Sequence, residues 1–120
     1  MVPFKTILTD LVHTVPGASG AILADWEGEA VDQFARFDTF ELKIIGAHKA
    51  IILSRLQEVQ DRFAGGFVRE AVITTSALTA IVGAVGKDYS LVMTLERAAI
   101  PGRALYHFRR AVALLAKEIY

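Results

Sequence analysis

The sequence predicts an α/β (α+β) fold: helix, two strands, helix, three strands, helix, with a five-stranded antiparallel sheet and helices on both faces. Three observations carry this. Segments with apolar residues at helical spacing stand at both ends and in the middle of the chain. Short runs of small and branched residues fill the intervals between them. Glycine-bearing turns separate those runs at hairpin spacing.

Phe4, Ile7, Leu8, Leu11, Val12 and Val15 make the first helical stripe, with Lys5, Asp10 and His13 opposite and Pro16-Gly17 as its stop. Ser19–Asp25 is almost wholly apolar, as in a strand covered on both faces. Asp25-Trp26-Glu27-Gly28 supplies a turn, and the more polar Glu29–Arg36 returns as an outer strand. Asp38 or Thr39 can cap a second helix from about residue 40 to Arg62, and Glu41 suits its positive end. Its expected inner stripe is Leu42, Ile45, Lys49, Ile52, Leu56, Val59 and Phe63, with a second apolar set at Ile44, Ile51 and Leu53. Gly65-Gly66 resets the chain. Phe67–Thr75, Leu78–Val85 and Tyr89–Glu96 then read as a three-stranded meander, the last with one wetter face. After Pro101-Gly102, Leu105, Phe108, Val112, Leu115 and Ile119 form the buried stripe of a closing helix. The terminal helices are expected to share one face of the sheet and the middle helix to cover the other.

Residues 1–120 are expected to form one domain, long enough to fold without staples. Cysteine is absent, which removes disulfides, a thiolate nucleophile and cysteine-based zinc sites. Thirteen basic and thirteen acidic residues cancel, so no field favours nucleic acid or an anionic membrane. No apolar run approaches the ~20 residues of a bilayer span, and no secretory leader is evident, so a cytoplasmic protein is expected. Hydrophobic residues reach 53% of the chain. A small interior cannot absorb such a share, so a surface covered by another chain is expected.

Catalytic patterns fail one by one. Gly86-Lys87 lacks a glycine at position 81, where Ile81 stands, and Asp88 replaces the hydroxyl that would hold magnesium. The chain has no dinucleotide fingerprint and no nucleophile elbow. His13, His48 and His107 fall on three different helices. No catalytic residue, metal or cofactor is therefore assigned, and the chain is read as no enzyme.

Interaction features remain. Trp26, the only tryptophan, is expected to fold over its own hairpin or a terminal helix rather than to anchor a partner. On the middle helix, Ile44, His48, Ile51, Arg55 and Arg62 mix apolar and charged groups at outer positions, as a partner-binding face would. In strand Phe67–Thr75, the stretch Arg69, Ala71, Val72, Ile73 and Thr74 contains no proline and little charge. A free edge of that kind invites pairing with a second copy.

The run Val15-Pro16-Gly17-Ala18, then Gly20-Ala21-Ile22-Leu23-Ala24-Asp25, then Glu27-Gly28-Glu29-Ala30-Val31 resembles the opening of Roadblock/LC7 domains. Val72-Ile73-Thr74-Thr75, Leu78–Val85 and Tyr89–Glu96 fit the same pattern, so the resemblance spans nearly the whole chain. It implies a profilin-like sandwich whose homodimers join their third strands into one continuous sheet, with the middle helices side by side. It also implies a regulator or scaffold of a small Ras-like GTPase, with hydrolysis performed by the GTPase itself. No arginine can be carried over as a catalytic finger. A ligand-sensing or purely structural interaction module of the same fold is the alternative.

Overall fold

The computed structural model describes residues 2–63 and 65–120. Helix α1 (Phe4–Thr14) leads into β1 (Ala18–Asp25) and β2 (Ala30–Ala35), followed by α2 (Thr39–Gln60). Strands β3 (Glu70–Thr74), β4 (Thr79–Val85) and β5 (Tyr89–Leu95) precede α3 (Pro101–Ile119). All neighbouring strands run antiparallel in the order β2-β1-β5-β4-β3, so the expected architecture is the observed one.

The two faces of the sheet are closed unequally. Helices α1 and α3 lie on one face and bury Leu8, Val12, Phe108 and Leu115 against Leu23, Ile81, Leu91, Met93 and Leu95. Helix α1 buries its expected stripe, whereas the buried line of α3 is Ala104, Phe108, Ala111 and Leu115, with the expected Leu105, Val112 and Ile119 half-buried beside it; Pro101 starts α3 where its missing N–H costs nothing. Helix α2 covers the other face with only Leu42 and Leu53 as large buried side chains, set over Ile22, Val82 and Val92. It sits close because Gly46 faces the sheet: a Cβ there would stand 2.8 Å from Ile22 Cγ2. Asp38 caps α2 by accepting a hydrogen bond from the Phe40 amide at 3.0 Å.

Several expectations are corrected. The inner line of α2 is Leu42, Gly46 and Leu53, with Ile45 and Lys49 half-buried beside it. Ile52, Leu56, Val59 and Phe63, read as core from the sequence, are exposed. Apolar residues surround this helix almost completely, so periodicity could not choose a face; the small residue at the point of closest approach marks it instead. Strand β5 has no wetter face. It lies in the middle of the sheet between β1 and β4, so Ser90 and Thr94 are buried beneath the α2 layer. Trp26 does not fold over its hairpin and is 75% exposed.

Strand bounds also shift. The expected Glu29–Arg36 strand is Ala30–Ala35, and helix α2 ends at Gln60 rather than Arg62. The third strand is Glu70–Thr74, shorter than Phe67–Thr75 at both ends. Arg69 therefore precedes the strand, although its carbonyl still accepts the Ala84 amide at 2.9 Å. Gly86, at φ +65, turns β4 into β5. Gly86-Lys87 thus occupies a hairpin turn and not the strand-to-helix junction that a phosphate loop requires.

Candidate interaction surface

Strand β3 pairs with β4 alone among the described residues. Hydrogen bonds from Ala84 N–H to the Arg69 carbonyl and from Thr75 N–H to the Leu78 carbonyl fix the ladder's phase. In an antiparallel pair, bonded and non-bonded residues alternate. Ala71 and Ile73 accordingly bond to β4, whereas Glu70, Val72 and Thr74 turn their amides and carbonyls outward. The one acidic side chain among them is withdrawn from the edge. Glu70 accepts a hydrogen bond from Arg109 Nε on α3 at 2.8 Å. That bond, together with the charge of Glu70, raises the Arg109 pKa above its ordinary value. Val72 is 42% exposed, and no proline or bulge interrupts the strand.

The opposite edge is finished differently. Arg36 N–H donates to the Ser19 carbonyl, which places Gln33 among the residues of β2 whose backbone faces outward. Its amide donates to Asp32 Oδ1 at 2.8 Å, and its carbonyl accepts from Lys5 Nζ on α1. Lys5 and Asp32 also lie 3.8 Å apart as an ion pair. A bulge between Leu23 and Ala24 adds a break in register. Charge, side-chain capping and a bulge are the devices that protect a sheet edge from another chain; β3 has no cap and no bulge, and its one charge, Glu70, is tied to α3.

The outer face of α2 holds four of the five predicted partner-binding residues, and Arg62 follows in the turn after the helix. Ile44, His48, Ile51, Arg55 and Arg62 are all exposed. Helical spacing sets Phe40, Ile44 and Ile51 on one side with Arg55, and Arg55 pairs with Glu58 at 3.1 Å. Ile52, Leu56 and Val59 extend the apolar area on the flank that also bears Ile45. Ile45 itself packs in the cluster that includes Ala71 and Ile73 of β3. Exposed apolar surface thus continues from the helix toward the bare edge. Sequence reasoning places Ile52, Leu56, Val59 and Phe63 inside, and so misses most of this area; only the glycine at position 46 points to the true inner face.

His13, His48 and His107 lie on α1, α2 and α3 respectively, and His13 stacks edge-on against Phe34 with centroids 5.3 Å apart. Among the described residues no three of His, Cys, Asp and Glu gather as a metal site would need. No described helix is long and apolar enough to cross a membrane.

This arrangement defines an α+β module of profilin-like architecture, with one sheet edge capped and the other open. It is similar over 96% of both chains to the Roadblock/LC7 domain from Streptomyces avermitilis, with a TM-score of 0.86 at 21% identity. It is similar to the gliding protein MglB from Thermus thermophilus with a TM-score of 0.83 at 20% identity, over 95% of this chain and 86% of the other. Profilin II of Acanthamoeba castellanii matches over 98% and 100% of the two chains, with a TM-score of 0.68 at 13% identity. The fold is the Roadblock/LC7 fold. The sequence matches no protein-family model, and no curated protein matches it.

Proposed function

We propose that this chain is a non-catalytic regulator or scaffold of a small Ras-like GTPase and works as a homodimer joined through β3. The single observation that carries the reading is the unprotected β3 edge beside an apolar helix face, in a fold shared with Roadblock/LC7 domains and MglB. Two copies related by a two-fold axis at Val72 would set Val72 against Val72 and Glu70 against Thr74, each pair exchanging its outward amides and carbonyls. The two α2 helices would then lie on the same side of the joined sheet, and Ile52, Leu56 and Val59 would gain cover.

The GTPase would bind the remaining outer face of α2. Ile44 and Ile51 offer apolar contact, and His48, Arg55 and Arg62 favour an acidic surface around it. Nucleotide chemistry would stay with the GTPase, and this chain would act by holding or reshaping it. The test is capture with the purified protein from native lysate, run separately with a GTP analogue and with GDP, and with the bound proteins identified by mass spectrometry. A small GTPase retained in one nucleotide state supports regulation, and one retained in both supports scaffolding. Absence of any GTPase under both conditions contradicts the proposal.

A further inference from the structure

Strand β3 presents Glu70, Val72 and Thr74 on the face of the sheet that α1 and α3 cover. Glu70 stands opposite Gly83, where a Cβ would meet the Phe108 ring of α3 at 2.6 Å. Alternation along the strand puts Val72 and Thr74 on the same face. Arg109 reaches Glu70 from α3 with two donors, Nε at 2.8 Å and Nη2, and both go to Oε1. Oε2 of Glu70 and the hydroxyl of the exposed Thr74 have no hydrogen-bond partner among the described residues. The Glu70 side chain is only 21% exposed, whereas that of Arg109 is 62% exposed. The carboxylate thus lies low beside the strand edge, with one oxygen held by α3 and the other unused.

We infer that Arg109 and Glu70 form the recognition element for a second copy of this chain, in which Oε2 of Glu70 accepts the Thr74 hydroxyl of that copy; the contact rests on the dimer through β3 proposed above. A two-fold axis at Val72 sets Glu70 against Thr74 of the other copy as a hydrogen-bonded pair. Their Cα atoms then lie about 5.5 Å apart with both side chains on one face. The contact occurs twice, once on each side of the axis. Arg109 is a positioning residue. An incoming strand encloses Glu70 further, and an enclosed carboxylate needs a cation. Without Arg109, Glu70 would be enclosed unpaired or would swing into the path of the strand, as a charge guarding an edge does. A register slipped by two residues would set Glu70 against Val72 and leave the Thr74 hydroxyl without its acceptor, so the pair also selects the register.

Sedimentation equilibrium of single and double variants tests this, with thermal melts to check folding. Arg109→Gln should weaken self-association at least about tenfold. Glu70→Gln keeps the acceptor and loses the charge, so it should associate within about threefold of the parent chain, alone or combined with Arg109→Gln. That rescue separates the proposed role from one of merely holding α3 on the sheet, which no change at Glu70 could restore. Thr74→Val should weaken association about tenfold in the parent chain, but less than about twofold beside Glu70→Ala. Within one chain the two residues are four apart on a strand, about 13 Å, so coupling of that size arises only between copies. Normal association of Arg109→Gln, failure of Glu70→Gln to rescue it, or additive effects at Glu70 and Thr74 would each overturn the proposal. Val72→Pro is the reference. If it associates like the parent chain, the β3 dimer fails as well; if it dissociates while Arg109→Gln does not, only the Arg109–Glu70 element is refuted.

Discussion

At the β2 edge, Asp32 and Lys5 occupy the outward backbone groups of Gln33; at the β3 edge, Glu70 is drawn down to Arg109 and Val72 is left exposed. Both strands end the same sheet, and both have outward amides that need partners. The contrast shows that charge content alone does not protect an edge. Glu70 is charged, yet its side chain is tied to α3 and leaves the backbone of its own strand uncovered. The two faces repeat the contrast. Helices α1 and α3 bury most of their apolar residues, with Tyr106 and Leu114 left exposed on α3, whereas α2 leaves Phe40, Ile44, Ile51, Leu56 and Val59 outside. Exposed apolar side chains are therefore most numerous on α2.

Substitutions can break this asymmetry. The largest effect is expected from Val72→Pro. It removes an outward amide without breaking the β3–β4 ladder and should weaken self-association about a hundredfold, close to 3 kcal/mol over both symmetric copies. Sedimentation of the variant checks it, and an unchanged association constant would place the interface elsewhere. The double variant Ile51→Asp with Arg55→Glu should reduce GTPase binding at least about tenfold while stability stays within roughly 0.5 kcal/mol. Binding titrations and thermal melts separate the two effects, and a collapsed melt would mark Ile51 as core.

A sharper form uses the absence of cysteine. Val72→Cys should form an intermolecular disulfide under mild oxidation, because the two-fold axis brings the paired Cα atoms to about 5.5 Å. Glu70→Cys, expected to face Thr74 of the other copy, should crosslink far less. Equal crosslinking on a denaturing gel would refute the register. The smallest effect concerns the capped edge. Lys5→Ala with Asp32→Ala should cost no more than about 1 kcal/mol, but should increase concentration-dependent light scattering by exposing Gln33.

The sequence announces its fold through local patterns and hides its surface through an excess of them. Alternation, glycine turns and two well-separated helical stripes define eight elements in the order observed. The β3 edge is legible because Ala71–Thr74 lacks both charge and proline. Helix α2 resists reading because apolar residues lie nearly all round it; the core is marked by Gly46, whose importance is an absence of side chain. Ser90 resists for a tertiary reason. A serine in an alternating strand reads as solvent-facing until the strand order places it at the sheet centre, under a helix. Trp26 misleads because burial is the usual fate of a lone tryptophan, and a hairpin tip gives it nothing to fold against.

Residue-resolved hydrogen exchange of the Glu70, Val72 and Thr74 amides, followed over a range of protein concentrations, tests the central claim most directly. These amides point away from β4, so only a second chain can protect them. Dimerisation through β3 predicts that their protection rises with concentration, together with the particle mass, while the Ala71 and Ile73 amides stay protected throughout. Fast exchange of Val72 and Thr74 at concentrations where the protein is already dimeric would show that the open edge is not the interface.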